Sequence, residues 1–356
     1  MSLPKTTTAW ILEGKDAEKG WDNLQLKKDQ KIPELGEHDV LVQIQAVSLN
    51  YRDLAIPKGM YPLPLDLPRV ACSDGAGNVL AVGKKATQFT VGDKVVTQFN
   101  QGHQAGPVTS AALATGLGGA LDGTLRQYAV FPESGLALAP SNLTPTEAGT
   151  LTCAALTAWN ALYGLESKAL KPGNTVLTQG TGGVSLAAIQ FAKAAGATVI
   201  ATTSSDEKAK RLESLGADVV LNYKKDTNWG ETAKRLSPGK MGVDHIVEVG
   251  GPGTMSQSLQ AIKLEGVISV IGFLGGPKSE DEPSTLAALS SGCIIRGVLI
   301  GSKAQLIDMN RAIDANNIHP IVDERKFGFD DVHEAYQYQW EQKNFGKVVI
   351  HLGRLE

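Results

Sequence analysis

The residues best spaced to do chemistry are the glycines in Val176-Leu177-Thr178-Gln179-Gly180-Thr181-Gly182-Gly183-Val184. The apolar run Asn174 to Gln179 reads as a buried strand that breaks at glycine and yields to an Ala-rich helical segment, Leu186 to Ala195. Turn glycines let backbone approach a pyrophosphate, and the free N–H groups at the helix start then hold it. The third glycine of the G-x-G-x-x-G pattern is Ser185 here, small enough for close helix-to-strand contact. A second apolar strand, Ala197 to Thr203, completes a βαβ unit of about 30 residues. Gly180, Thr181, Gly182, Gly183 and Val184 are therefore expected to hold a dinucleotide.

Which dinucleotide is a question of charge at the tip of the second strand. An NAD site places an acid about 20 residues after the glycines to bind the ribose hydroxyls. Here the strand ends in Thr202-Thr203-Ser204-Ser205, without an acid. Hydroxyls such as Ser204 leave room for a 2′-phosphate, and Lys208 supplies the charge such a phosphate needs, so NADP(H) is the expected cofactor. Asp206 is the counter-evidence, and in a first helical turn it also complements the dipole. Tyr223, just after the third strand, is placed to stack on or hydrogen-bond the same phosphate; a partly buried core tyrosine is the alternative.

These residues need a scaffold, and from Thr144 onward helices and strands alternate. A helix from Thr146 to Leu165 is expected, then strands at Asn174–Gln179, Ala197–Thr203, Asp218–Asn222, Val243–Val249, Gly266–Gly272 and Ile294–Ile300. Six strands with intervening helices are what a doubly wound parallel sheet requires. Ser204-Ser205-Asp206-Glu207 has capping-box spacing, and Gly216 closes the helix it starts. Before this, the chain is β-rich, with a half-buried strand at Val40–Val47 and a meander turning at Gly92-Asp93. It reads as a partly open barrel. Pro57, Pro62, Pro64 and Pro68 mark a loop, and Asn100 to Gly123, rich in small residues, reads as a mobile loop over a site. The tail gives a helix at Ala304–Ala315, an extended run at Ile321–Phe329, a helix at Asp330–Glu341 and a strand at Lys347–Leu352. It is expected to return to the first domain. The division expected is thus 1–143, 144–303 and 304–356.

Composition bounds the function. The 356 residues suggest two domains. A net charge of -3 excludes a basic face for nucleic acid or anionic lipid. Three scattered cysteines, Cys72, Cys153 and Cys293, argue against a disulfide framework and for a reducing, cytoplasmic setting. Met1 to Trp10 lacks the apolar core of a secretory signal, and no apolar run reaches the length of a membrane span. An apolar edge strand at Ile294–Ile300 suits a homodimer joined by sheet extension.

Taken together, Gly180-x-Gly-Gly-Val, the Ser-Asp-Glu-Lys after the second strand, Asn222-Tyr223-Lys224, Leu49-Asn50-Tyr51-Arg52-Asp53 and Asn344-Phe345-Gly346-Lys347 resemble the medium-chain dehydrogenase/reductase superfamily. More narrowly they resemble its zinc-free quinone oxidoreductase and enoyl reductase branch. The likeness runs through nearly the whole chain in order. It implies a Rossmann domain inserted in a split, GroES-like catalytic domain, with the active site in a cleft. It also implies that Lys208 and Tyr223 hold the 2′-phosphate, that Asn344 reaches the cofactor, and that Gly250, Gly272, Phe273 and Ile300 border the nicotinamide half. Thr157 joins the implied cofactor contacts.

Zinc-bearing members carry a cysteine where this chain has Asn50 and a histidine where it has Ser73; their third ligand position matches Cys153. One thiol cannot make a zinc site that needs three protein donors, so no metal is expected. Cys153 then reads as a small buried residue near the site. Without zinc, the easiest chemistry is conjugate reduction of an enone or quinone, with a hydrogen-bond donor stabilising the developing enolate oxygen. Tyr51 is the candidate donor, with a pocket-shaping role as the alternative, and Asn50 is placed to orient the nicotinamide ribose or the substrate oxygen. Asp53 is expected to hold the following loop, with Arg52 able to pair with it, and His103 to be a solvated loop histidine. Two other readings stand on the same scaffold: an NADP-dependent alcohol dehydrogenase or ketone reductase, and a non-catalytic NADPH-binding protein.

Overall fold

The computed structural model describes residues 3–272 and 283–353. It divides into two compact units, one made of Met1–Leu156 with Ser302–Glu356 and the other of Thr157–Gly301.

The first unit opens with strands β1 (Thr6–Leu12), β2 (Leu24–Lys31) and β3 (Asp39–Ser48), helix α1 (Tyr51–Ala55), and strands β4 (Arg69–Val70), β5 (Ala76–Val82) and β6 (Lys94–Thr97). Helix α2 (Ser110–Leu113), strands β7 (Tyr128–Pro132) and β8 (Leu136–Leu138), and helix α3 (Pro145–Ala148) follow. β3 is the hub. Its alternating Val40, Val42, Ile44 and Ala46 are all buried, as period-2 patterning requires. β5 runs antiparallel along one edge, and β7 pairs the first half of the other.

Two sequence expectations fail in this unit. The stretch Asn100–Gly123 is not a loose loop. It carries α2, buries Leu117, and is laced by backbone hydrogen bonds such as Leu117 N–H to Phe99 O and Gly123 N–H to Val70 O. Its glycines serve contact rather than mobility, since a Cβ on Gly123 would fall 1.9 Å from the Cys72 carbonyl oxygen. The helix expected over Thr146–Leu165 is interrupted. α3 is capped by Thr144 and Glu147, a π-turn covers Leu151–Ala155, and helix α4 (Leu156–Tyr163) starts only after it. Gly149 lies between α3 and that turn, where a Cβ would press on the Ala46 carbonyl oxygen at 3.1 Å.

The second unit contains strands β9 (Thr175–Gln179), β10 (Thr198–Thr203), β11 (Val219–Asn222), β12 (Val243–Glu248), β13 (Ile262–Val270) and β14 (Ile294–Gly297). Helices α5 (Gly183–Ala194), α6 (Asp206–Ser214), α7 (Trp229–Leu236), α8 (Pro252–Ala261) and α9 (Leu286–Ser291) connect them. All pairs are parallel, in the order β11-β10-β9-β12-β13-β14. That is the doubly wound arrangement, whose order reverses beside β9 and opens a crevice at the carboxyl ends there. β13 starts four residues earlier than its sequence suggests because a bulge, with Glu265 at φ 62°, lets Ile262 pair Val243 before the regular register begins. β14 forms the sheet edge and ends at Gly297, short of Ile300.

The tail contributes helix α10 (Lys303–Asn316), strand β15 (Phe327–Gly328), helix α11 (Val332–Trp340) and strand β16 (Val349–His351). As expected it returns to the first unit, where β16 pairs antiparallel with the second half of β3 through Ala46–Ser48. The run Ile321–Phe329 is strand only at Phe327–Gly328, with a single bridge from Val322 to Lys347. Among the described residues no helix is long and apolar enough to cross a membrane.

Candidate active site

In the second unit, the glycine turn has the form a pyrophosphate needs. Gly180 sits at φ 74°, and a Cβ built on Gly180 or Gly182 meets nothing within 4 Å, so open space lies over the turn. Gly182 is the N-cap of α5 and provides no side-chain cap, leaving the first N–H groups around Gly183 and Val184 for an anion. Ser185 does more than fit: its hydroxyl donates to the Gln179 carbonyl at 2.6 Å and closes the strand-to-helix turn. These residues fit a bound dinucleotide.

Around that turn, the carboxyl ends of neighbouring strands bring together Thr181, Ser204, Tyr223, Gly250 and Gly272. Tyr223 is 41% exposed, which removes the buried-core alternative for its ring. The expected capping box at α6 is half made, since Ser205 Oγ accepts from Lys208 N–H at 3.3 Å while the third helical residue is Lys208 itself. Asp206 is occupied. Its carboxylate accepts from Asn222 Nδ2 at 2.7 Å and Lys225 Nζ at 2.5 Å, and the lysine draws its pKa below the ordinary value. Thr157 is buried in α4, and Phe273 lies outside the described residues. Ile300 adopts φ 60°, a conformation β-branched residues rarely accept, and Asn160 Nδ2 grips its carbonyl.

Sequence reading missed a buried carboxylate here. Glu248 is fully buried and accepts from Gln179 Nε2 at 2.7 Å, from Gly250 and Gly251 N–H at 3.0 Å each, and from the hydroxyls of Thr254 and Ser258. It ties the end of β9 to the turn after β12 and thereby fixes two walls of the crevice. An acid at the tip of a strand, directly after the apolar pair Ile246-Val247, was the available signal.

In the first unit, the candidates meet around an ion pair. Lys347, just before β16, buries its ammonium against Asn50 Oδ1 at 2.6 Å, the Leu49 carbonyl at 2.7 Å and Asp74 Oδ2 at 3.3 Å. Asp74 also accepts from Ser48 Oγ at 2.7 Å and Thr152 Oγ1 at 2.9 Å. Asn50 precedes α1, and Asp53 Oδ2 accepts its backbone N–H at 2.8 Å; the acid thus holds the helix start rather than the following loop. Burial raises Asp53 to about 6 against the opposing pull of Arg52. Arg52 donates to Leu117 O at 2.8 Å and lies over the Phe99 ring, so its reach is to the 99–117 segment. Tyr51 lies parallel to Trp340, centroids 6.4 Å apart, and burial raises its phenol further, so it keeps its proton at neutral pH. The Asn344 amide donates to Gly346 O at 2.7 Å, within its own turn. His103 is buried, with Nε2 2.9 Å from Gly106 O, and is not a solvated loop residue.

The matching protein families agree with both units. The family described as alcohol dehydrogenase GroES-like domain matches residues 36–141, and that described as zinc-binding dehydrogenase matches residues 183–315. A zinc-type alcohol dehydrogenase-like protein of Schizosaccharomyces pombe is 45% identical over 333 residues, 93% of this chain and 96% of the relative. The chain belongs to the medium-chain dehydrogenase/reductase superfamily. A solved structure of a putative alcohol dehydrogenase from Sinorhizobium meliloti is 40% identical with a TM-score of 0.87, covering 99% of this chain and 100% of that one. A 2-methylene-furan-3-one reductase of Solanum lycopersicum is 29% identical over 355 residues, 99% of this chain and 80% of its own. The protein is therefore an alcohol dehydrogenase-like oxidoreductase of a pyridine-nucleotide-dependent superfamily.

Zinc, which the name of one matching family implies, is a poor match to the residues present. The donors are an amide (Asn50), a hydroxyl (Ser73) and the thiol of Cys153, which burial and the Asp74 charge push well above its ordinary value. Only the thiol is a usual zinc ligand, the hydroxyl and amide are not, and the amide oxygen already binds an ammonium. No group of three or more His, Cys, Asp or Glu among the described residues could hold a metal ion.

Proposed function

We propose that this protein is an NADPH-dependent, zinc-independent reductase of α,β-unsaturated ketones, aldehydes or quinones. The observation that carries the reading is the Lys347 ammonium seated on Asn50 Oδ1, which supports carbonyl activation by hydrogen bonds instead of a Lewis acid. The tomato relative, whose name is that of a reductase of a methylene-furanone, supports a conjugated acceptor. The engagement of Asp206 by Lys225 and Asn222, beside Ser204 and Lys208, supports NADPH over NADH.

When bound, NADPH supplies a hydride. In an enone the hydride and its electron pair form a C–H bond at the β-carbon, the alkene pair moves toward oxygen, and a proton reaches the α-carbon; alkene is reduced and NADPH oxidised. Gly180 to Val184 would hold its pyrophosphate, and Lys208 and Tyr223 its 2′-phosphate. Tyr51, kept protonated, donates the proton. The three cysteines are free, which supports a cytoplasmic setting, and the sheet edge at β14, with Ile295 41% exposed, supports a homodimer joined there.

The test is NADPH oxidation against an enone, a quinone, a simple ketone and a simple aldehyde, with products identified. Alkene or quinone reduction alone is expected. Carbonyl reduction without alkene reduction moves the protein to the alcohol dehydrogenase reading, and tight NADPH binding with no turnover moves it to a non-catalytic role.

A further inference from the structure

Resting on that reading, we infer that Lys347 is the positioning residue of the substrate-activating site, and that it acts through Asn50. Its ammonium is held entirely by the chain itself. Three oxygens, from Leu49, Asn50 and Asp74, take its three N–H donors. Asp74 has its remaining capacity used by Ser48 and Thr152, so the anion is fixed as firmly as the cation.

The consequence falls on the amide of Asn50. A primary amide is planar, and gripping its oxygen fixes where its nitrogen points. That nitrogen, Nδ2, is buried and has no hydrogen-bond partner, although Asn50 as a whole is only 8% exposed. A buried amide donor without a partner is unusual and calls for an explanation. Ordinary relaxation would turn the amide over, but that would set its NH₂ against the ammonium. The hydroxyl of Ser73 is likewise buried without a partner. Lys347 therefore does two things: it keeps Nδ2 as an uncommitted donor for the substrate's carbonyl oxygen, and by withdrawing electron density from Oδ1 it makes that N–H a stronger donor as the enolate charge develops. Asn50 touches substrate, and Lys347 acts behind it. The same contacts pin Leu49 and Asn50, which lead directly into Tyr51.

The test compares Asn50→Asp, Lys347→Met and Lys347→Arg in the full-length enzyme, on whichever acceptor the unaltered protein reduces. Asn50→Asp keeps an oxygen for Lys347 and removes the donor. It is expected to lose about 100-fold in kcat, with NADPH Kd within about twofold. Lys347→Met is expected to lose a similar factor in kcat, and Lys347→Arg to recover at least about tenfold of it, with KM little changed in each. Should Lys347→Met fail to fold because Asp74 is left unpaired, the double variant Lys347→Met with Asp74→Asn removes both charges and is read instead. Retention of kcat within about threefold by folded Asn50→Asp overturns the donor assignment. Retention by the folded Lys347→Met or double variant overturns the role of the ammonium. Product identity in the unaltered protein tests the conjugate-reduction reading separately, since these ratios are measured for either product.

Discussion

The side-chain amide of Asn160 donates to the carbonyl oxygen of Ile300 at 2.6 Å, and Arg296 in turn donates to Asn160 Oδ1 at 3.0 Å and to its backbone carbonyl at 3.2 Å. Ile300 stands at φ 60°, where a β-branched residue costs about 1–2 kcal/mol. The clamp holds that strain. Asn160→Ala is expected to destabilise the protein by about 1–2 kcal/mol. Ile300→Gly, made in the Asn160→Ala background, is expected to recover part of the loss. Denaturant melts of both single variants and the double variant give the coupling, and strict additivity would show that the clamp and the strain are independent.

In the proposed reading, Lys208 sets the cofactor preference. Lys208→Ala is expected to lower the ratio of NADPH to NADH affinity by about 10- to 100-fold, the range of one charge-assisted contact. Lys225→Ala releases Asp206 from its pair and is expected to move the ratio the same way by a smaller factor. Fluorescence titration with both nucleotides reads each value; an unchanged ratio in Lys208→Ala removes the phosphate assignment.

Asp53 gives a pH dependence with a definite sign. Its carboxyl is raised from 3.8 to about 6, chiefly by burial. The folded state thus holds a proton that the unfolded state releases, and the stabilisation this gives is complete below about 3.8 and lost as pH rises through about 6. Asp53→Asn keeps an acceptor for the Asn50 N–H but cannot ionise. Relative to the unaltered protein it is expected to gain stability from pH 4 to pH 7, by at most about 3 kcal/mol. Melting curves across that range that remain parallel would remove the argument.

Tyr51→Phe retains the ring that lies parallel to Trp340 and deletes only the hydroxyl. A loss of about 10²-fold in kcat with little change in melting temperature is expected of a proton donor. Unchanged kcat would leave Tyr51 the role of shaping the pocket.

The parallel sheet was legible because strands buried on both faces read as unbroken apolar runs, and β9 is buried at every position. The return of the tail was legible from a different constraint, since the tail could not extend the parallel sheet without another crossover. What escaped reading depends on distant pairing. Nothing local marks Asp74 and Lys347, 273 residues apart, as partners, and Lys347 stood out only as part of the Asn344-Phe345-Gly346-Lys347 motif. Small residues between Asn100 and Gly123 looked like slack, whereas Gly118 and Gly123 are small because the Cys72 backbone passes beside them. The seating of His103 against Gly106 O was hidden in the same way.

The interleaving of β3 with β7 and β16 has a consequence for synthesis. When residues 1–156 have left the ribosome, β3 has gained only β5 and β7 as neighbours; its second half stays an open edge until Val349–His351 arrive. During that interval Asp74 has its hydroxyl partners but no cation, and Asn50 nothing to grip. The nascent chain can complete the parallel sheet of residues 157–301 first, so that unit matures ahead of the one that needs the last strand. A chaperone that recognises unpaired strand edges would find its target on this chain at β3, and lose it when the last strand docks.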